Sequence, residues 1–349
     1  MPRFATFRGA ALLTAAGLIA ATAVQAQDDS LLAYEGADRT ARIEAAAKKE
    51  GALTLYTAFR PQDLPTILTP FETRYGIKVN VWRSGFDNVL QRVRSEASGG
   101  RYAVDAVMMP APAMEALRRE KLLQPVKSPT FALLLPGAVP AHRQTASVLM
   151  NVWVQAYNTQ AVNKSELPKT YDELLDPKWK GKLGIEAKAM NWYGTVLSAL
   201  GEERGTKLFR EIAAKNGISA RLGMSLLNNM VVAGEVPIAL TIYADLPEKA
   251  KHKGQPIDWF AIEPIIAEGF DIGVAAKSPH PAAALLFCEY MLSPETQKLL
   301  ASLYYMPTRK GIEGLVQHKN IKVVDPVAAI DNATKWTEVF DANVTMAAK

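Results

Sequence analysis

The amino-acid sequence predicts an α/β fold made of two lobes, each a mostly parallel sheet flanked by helices, joined by extended hinge crossovers. Two observations lead to this prediction. Segments typical of strands and of helices alternate along the chain, which favours parallel sheets covered on both faces. The alternation restarts after an extended apolar run near residue 150. The chain of 349 residues is long enough for two domains.

The N-terminus predicts export from the cytoplasm. Arg3 and Arg8 precede an apolar stretch over 9–24, which ends in a small-residue pattern at Ala26. This arrangement is typical of a secretory signal peptide, and the stretch is too short to cross a bilayer. We therefore expect residues 1–26 to be removed and the remaining chain to be soluble.

The first half of the chain alternates regularly between the two kinds of element. The predicted elements are, in order, a helix at 39–49, a strand at 53–57, a helix at 63–75, a strand at 77–82, a helix at 89–97, a strand at 106–109 and a helix at 111–122. Gly51 and Gly76 follow the first two helices, where glycine commonly ends a helix. The segments over 53–82 therefore predict a β-α-β unit.

A second set of alternating elements follows the extended run at 148–157. Its predicted members are a helix at 171–175, a strand at 183–186, helices at 192–200, 205–216 and 224–233, a strand at 236–243, an extended pair over 263–276 and helices at 281–292 and 294–303. We predict that 27–153 and 264–312 form the first lobe, and that 154–263 and 313–349 form the second.

Two lobes joined by crossovers imply a cleft between them. Ligands of open α/β sheets bind beyond the carboxyl ends of the strands, so the loops at these ends are expected to line the cleft. These loops are 57–60, 84–86, 109–111, 187–193 and 243–245.

The composition and motifs favour binding over catalysis. Lys and Arg number 40 against 35 Asp and Glu, and the intermixed charges do not indicate nucleic-acid binding. Cys288 is the single cysteine and lies in an apolar run, so we expect a buried residue and no internal disulfide. The four histidines lie far apart, and the chain lacks the common nucleophile, phosphate-loop and dinucleotide motifs. We predict no bound metal and no cofactor.

An enzyme remains an alternative at this stage. Glu186 and Asp245 both fall on loops that are expected to face the cleft. If their carboxyl groups met in a water-excluded pocket, they would form an acid and base pair on a related two-lobed scaffold.

Six segments, in their order and spacing, extend over most of the chain after residue 26. They lie at 53–58, 71–79, 102–107, 174–184, 232–239 and 304–307. Together they resemble the periplasmic solute-binding proteins of ABC importers, in the subgroup that contains ferric-iron and thiamine binders. The resemblance implies a periplasmic monomer whose hinged lobes close on a small ligand. It also implies delivery of the ligand to a membrane permease and ATPase. A sensor that presents its ligand to a receptor is an alternative, and permease and ATPase genes beside this one would favour transport.

The iron ligands of the subgroup do not carry over to this sequence. Ferric members have a tyrosine pair after the strand that corresponds to 237–241, and here those positions are Ala244 and Asp245. A histidine position corresponds to Arg60, and a glutamate position corresponds to Pro110. Since ferric ion prefers phenolate and carboxylate oxygens, these changes argue against iron. Tyr305 belongs to a later segment near the hinge, where packing is expected.

The remaining residues of the predicted cleft suit an organic anion or zwitterion at least as well as iron(III). Arg60 is expected to bind a carboxylate or phosphonate, and the helix that begins near Asn191 is expected to favour an anion. Trp192 and Tyr243 would supply flat walls, and Glu186 or Asp245 would meet an amino group. The predicted ligand-binding residues are Tyr56, Arg60, Glu186, Asn191, Trp192, Tyr243 and Asp245.

Overall fold

A computed structural model of the protein describes residues 31–317 and 320–345. The predicted signal peptide, 1–26, lies outside the described residues. The described α-helices are α1 (Arg39–Glu50), α2 (Leu64–Tyr75), α3 (Phe86–Ser98), α4 (Ala111–Arg119), α5 (Met190–Leu200), α6 (Glu202–Asn216), α7 (Met224–Val232), α8 (Asp245–His252), α9 (Pro281–Met291), α10 (Pro294–Ser302), α11 (Pro326–Asp331) and α12 (Ala333–Phe340). None of them is long and apolar enough to cross a membrane.

The strands of the described chain form one mixed sheet. They are β1 (Ala52–Thr57), β2 (Lys78–Arg83), β3 (Ala106–Pro110), β4 (Ala146–Asn158), β5 (Leu183–Glu186), β6 (Ile218–Arg221), β7 (Ile238–Tyr243), β8 (Ile257–Phe260), β9 (Ile265–Val274), β10 (Met306–Pro307) and β11 (Ile321–Val323). The main order is β2-β1-β3-β9-β4-β7-β5-β6. The pairs β2-β1-β3 and β7-β5-β6 are parallel. The long strands β4 and β9 join these two parallel parts through antiparallel pairs.

The long strands β4 and β9 account for the extended crossovers that the sequence predicts. All 13 residues of β4 and all 10 residues of β9 are buried. The segment over 263–276, which was expected to hold two strands, holds β9 alone. A continuous apolar run can fill one long buried strand as well as two short ones, and the sequence pattern does not separate these cases.

The predicted order of the main elements is confirmed. Gly51 and Gly76 adopt left-handed backbone angles, with φ of 72° and 69°, and cap α1 and α2 as expected. The predicted helix at 171–175 is a 3-10 turn, Asp172–Leu175. The sequence analysis did not identify the strands β6, β8, β10 and β11 or the helices α8, α11 and α12. These elements are short, so each contains too few apolar positions to show a clear period.

Two large apolar cores lie at the two ends of the sheet. One core joins β1, α1 and α2 with α9, and the buried Cys288 belongs to it as expected. The other core joins β5, α5 and α6 with Phe340 of α12. Residues of both β4 and β9 occur in both cores, so these two strands connect the two ends of the molecule. The lobe boundaries given above remain a prediction.

Candidate functional site

A cleft of about 440 Å³ lies over one face of the central strands. Alternate residues of a strand point to the same face, and six such residues from β4, β7 and β9 line the cleft. We call them the cleft floor: Leu149, Asn151, Trp153, Tyr243, Glu268 and Phe270. Their register confirms one continuous surface, since Asn151 lies opposite Glu268 and Trp153 lies opposite Tyr243.

The walls of the cleft come from both ends of the sheet. Each of the five loops that were predicted to line the cleft, because they follow the carboxyl ends of strands, contributes at least one lining residue. Arg60, Phe86 and Pro110 lie on the side of β1, β2 and β3, whereas Lys188 and Asn191 lie on the side of β5. The predicted position of the cleft is thus confirmed.

Arg60 lines the cleft but already has a protein partner. Its Nη2 donates to Oδ1 of Asp245 at 2.8 Å. Lys249, one turn further along α8, lies 3.4 Å from Oδ2 of Asp245 and 2.7 Å from Oδ2 of Asp63. Tyr305 donates its hydroxyl hydrogen to the same oxygen of Asp63 at 2.6 Å. We call Arg60, Asp63, Asp245 and Lys249 the charge quartet.

The charge quartet explains why Asp245 is not a residue of the cleft. Asp245 begins α8, its side chain is 3% exposed, and it does not line the cleft. Burial raises the pKa of its carboxyl group, and the charges of Arg60 and Lys249 oppose that rise. The expectation that Asp245 meets an amino group of the ligand is therefore corrected, since its cationic partners belong to the protein.

Glu186 lines the cleft, but its carboxylate is occupied by the backbone. Oε1 accepts from the N–H of Gly223 at 3.0 Å, and Oε2 accepts from the N–H of Lys188 at 2.7 Å. Burial raises the pKa of this carboxyl group, although both backbone bonds lower it. Glu186 thus ties the loop after β5 to the loop after β6, which fixes the shape of one wall.

Trp192 and Tyr56 do not line the cleft, which corrects two expected ligand contacts. Trp192 is fully buried and packs its ring edge-to-face on Tyr171 and Phe209. Tyr56 is 1% exposed and donates its hydroxyl hydrogen to Glu96 at 2.9 Å. In both cases the aromatic side chain lies on the face of its element that packs into the protein interior.

Glu268 is a buried, charged cleft residue that the sequence analysis missed. Its side chain belongs to the cleft floor, is 3% exposed, and accepts at Oε1 from Nδ2 of Asn191 at 2.8 Å. The signal was present as a glutamate inside the apolar run of β9. A carboxylate at the centre of a buried strand is rare unless it has a partner or a function.

Two aromatic rings of the cleft floor lie side by side. The rings of Trp153 and Tyr243 have their centroids 5.1 Å apart. Nε1 of Trp153 is buried and has no hydrogen-bond partner among the described residues. Burial raises the pKa of the Tyr243 hydroxyl well above its ordinary value, so this side chain is a neutral phenol.

The comparison with protein families identifies the class of this cleft. Residues 66–322 match the family described as bacterial extracellular solute-binding protein. The chain belongs to this family. Its members bind solutes, which agrees with a cleft lined from both ends of one sheet. The resemblance noted in the sequence is thereby confirmed.

Relatives of this solute-binding protein include two proteins that are named for iron. It is 25% identical over 265 residues to the Fe(3+)-binding periplasmic protein of Serratia marcescens, covering 73% of this chain and 78% of the relative. It is 24% identical over 311 residues to iron uptake protein A1 of Synechocystis, covering 81% and 82%.

Solved structures of similar fold confirm the two-lobed α/β architecture. Iron-bound HitA from Pseudomonas aeruginosa has a TM-score of 0.72 and 23% identity, covering 82% of this chain and 97% of HitA. AfuA from Actinobacillus pleuropneumoniae with bound fructose-6-phosphate has a TM-score of 0.72 and 18% identity, covering 85% and 99%. At these identities the likeness extends to the fold alone.

Two buried carboxyl groups on β9 predict how the stability of this solute-binding protein depends on pH. Burial raises the pKa of Glu268 to about 7 and that of Asp271 to about 6. The hydrogen bond from Asn191 opposes the rise at Glu268, whereas the charge of Asp271 adds to it. The folded protein therefore keeps these protons to a higher pH than the unfolded chain does.

The unfolding free energy of the ligand-free protein is expected to fall as the pH rises from about 5 to about 8. Below this range the folded protein is stabilised because it holds protons on Glu268 and Asp271 more tightly than the unfolded chain does. The stabilisation is lost as the pH rises through the pKa values of these two groups in the folded protein. Urea unfolding at a series of pH values measures the effect. Glu268→Gln should flatten the profile near neutral pH. A variant profile that runs parallel to that of the wild type would show that Glu268 does not titrate there.

Proposed function

We propose that this protein is the periplasmic substrate-binding component of an ABC importer, which captures a small organic molecule between its lobes and releases it unchanged to a membrane permease. The observation that carries the proposal is the cleft of about 440 Å³, with a floor of β4, β7 and β9 and walls from both ends of the sheet. Pockets of this size, with apolar walls and a few polar groups, are typical of sites for small organic ligands.

The chemistry of the cleft favours an organic ligand over bare iron(III). Within the described residues, no group of three or more His, Cys, Asp and Glu side chains could hold a metal ion. Tyr243 supplies one phenol, and the position next to it is Ala244, so the tyrosine pair of the ferric members is absent here. Ferric ion prefers a set of ionised oxygen ligands, so we propose an organic zwitterion or anion and treat ferric citrate as a competitor.

Three of the proposed ligand-binding residues are Asn191, Tyr243 and Arg60, all of which line the cleft. We propose that Arg60 acts from within its ion pair with Asp245, through the donors that the pair leaves open. Glu186 is proposed to position the wall, because both of its oxygens accept backbone hydrogen bonds.

The proposed closure involves the two lobes given above, 27–153 with 264–312 and 154–263 with 313–349. One ion pair supports contact between their rims, because Nζ of Lys188 lies 2.9 Å from Oδ2 of Asp87. Both side chains are about half exposed, so this pair is weak and can open when a ligand enters or leaves.

The enzyme alternative requires the carboxyl groups of Glu186 and Asp245 to face the same pocket as acid and base. Glu186 lines the cleft and Asp245 does not. Their carboxyl groups are held by different partners, backbone N–H groups for Glu186 and the charge quartet for Asp245. We therefore propose binding without a chemical step.

A thermal-shift screen tests whether the cleft binds a small organic molecule. The panel contains ferric citrate, thiamine, fructose-6-phosphate, aminoalkylphosphonates, amino acids and carboxylates. An organic compound at about a hundred times its dissociation constant adds about 2.7 kcal/mol to the unfolding free energy, which raises the melting temperature by a few degrees.

The variant Asn151→Phe tests the location of the bound compound. Its larger side chain would occupy the cleft floor, and we expect it to abolish the shift while cooperative melting is retained. Lys207→Phe on the exposed side of α6 is the matched control and should keep the full shift. A shift with ferric citrate alone, or an equal shift in both variants, would contradict the proposed function.

A further inference from the structure

Glu268 is a buried carboxylate that has no cationic partner among the described residues. One oxygen accepts the hydrogen bond from Asn191, and the residue takes part in no ion pair of the described chain. An unpaired buried carboxylate is costly, and the cost falls when a cation arrives. Because Glu268 lines the cleft, a cation can reach it from the ligand space.

The residues beside Glu268 suit a positively charged nitrogen. Trp153 and Tyr243 belong to the same cleft floor, and the faces of aromatic rings attract ammonium groups. Asn151 lies directly opposite Glu268 across the β4 and β9 pair. Its side chain is buried and makes no hydrogen bond within the described part of the chain, so its amide oxygen can accept from a ligand N–H.

The basic residues of the cleft lie in its walls and not in its floor. Arg60 is paired with Asp245, and Lys188 is paired with Asp87. Arg83 is exposed, and its Nε donates to the carbonyl oxygen of Phe59 at 3.0 Å. The positive groups of the cleft thus lie in its walls, where the carboxylate of Glu186 is held by backbone N–H groups, and the floor carries the carboxylate of Glu268 without a cation. This arrangement gives a polar ligand a preferred orientation.

We propose that the ligand carries a protonated or quaternary nitrogen, and that Glu268 binds this nitrogen on the cleft floor between Asn151 and the rings of Trp153 and Tyr243. This inference rests on the proposed function, since it assigns a ligand class to the same cleft. Any acidic group of the ligand then lies towards Arg83 and the other basic residues of the walls. Glu268 is the residue that determines specificity for the cation.

Matched pairs of compounds test the proposed ligand class. Aminoethylphosphonate is compared with ethylphosphonate, γ-aminobutyrate with butyrate, and choline with its neutral carbon isostere, each at millimolar concentration and about pH 8. At least one compound with a positively charged nitrogen is expected to raise the melting temperature, and its partner without that nitrogen is expected to have no effect. Calorimetric titration of the active compound then gives its dissociation constant.

The variant Glu268→Gln keeps the shape of the side chain and removes its charge. This variant is expected to raise the dissociation constant of the active compound by about thirtyfold or more, because it removes one partner of a buried charge pair. Glu203→Gln makes the same chemical change at an exposed site on α6 and should leave the dissociation constant unchanged. Melting without ligand checks that both variants fold.

The proposal is overturned if no compound with a positively charged nitrogen binds, if the partners without that nitrogen bind equally well, or if Glu268→Gln retains wild-type affinity. These failures differ from failure of the proposed function. If a sugar phosphate or carboxylate shifts the wild type and not Asn151→Phe, the cleft captures organic solutes and only the cation assignment is wrong. If no organic compound binds in the cleft, both are wrong.

Discussion

Replacing Asp245 by alanine is expected to lower the unfolding free energy by about 3–5 kcal/mol, because it leaves the guanidinium of Arg60 without an anionic partner and Lys249 with Asp63 alone. The side chains of Arg60 and Lys249 are only 16% and 19% exposed, so water replaces the lost partner poorly. Urea unfolding monitored by circular dichroism measures this loss.

An exposed ion pair provides the control for this prediction. Lys188→Ala removes the pair with Asp87, whose two side chains are 50% and 58% exposed, and it is expected to cost less than about 1 kcal/mol. If Asp245→Ala is no more destabilising than Lys188→Ala, the charge quartet does not hold α8 against the loop before α2. A double variant that also replaces Arg60 by alanine should recover part of the loss, since Arg60 is the cation left without a carboxylate, whereas Lys249 keeps its ion pair with Asp63.

Replacing Trp192 by alanine is expected to cost about 3–5 kcal/mol, because it leaves a cavity among well-packed rings. Trp192 is fully buried between Tyr171 and Phe209 in the apolar core that joins β5, α5 and α6. Phe86→Ala is the control, since Phe86 is 40% exposed and its loss should change stability little. Chemical unfolding measures both variants.

The same variant separates a packing role of Trp192 from the expected ligand contact. The folded fraction of Trp192→Ala should bind the compound selected in the thermal-shift screen with nearly the wild-type dissociation constant. A stable variant that no longer binds the compound would place Trp192 in the binding surface after all.

The general position of the cleft could be predicted because it follows from chain topology. Loops at the carboxyl ends of parallel strands meet at one edge of a sheet, and all five loops chosen on this basis line the cleft. The order of strands and helices follows from local apolar periodicity in the same way. Neither argument depends on knowing which distant residues touch.

The sequence predicts less well which individual side chains line the cleft. That depends on the direction in which each side chain leaves its helix and on the register of the paired strands. Asn191 and Trp192 are neighbours at the start of α5, yet one lines the cleft and the other is buried. Successive helical residues point about 100° apart, so a loop prediction cannot choose between them. Glu268 was missed because its position opposite Asn151 is set by the pairing of β4 with β9.

Arg60 illustrates the effect of a contact between distant parts of the sequence. Its place in a cleft loop was predicted, but its partner Asp245 lies 185 residues further along the chain. Both residues were expected to bind the ligand, and in the structure they bind each other. A sequence pattern gives the type of a charged group but not whether folding brings it an opposite charge.

A crystal structure with the compound that gives the largest thermal shift shows where the ligand binds and in what chemical form. We expect unaltered compound on the cleft floor, with contacts to loops of both lobes and its nitrogen beside the carboxylate of Glu268. Electron density for a ferric ion alone, for a chemically changed product, or for compound bound outside the cleft would disprove capture of an organic cation between the lobes.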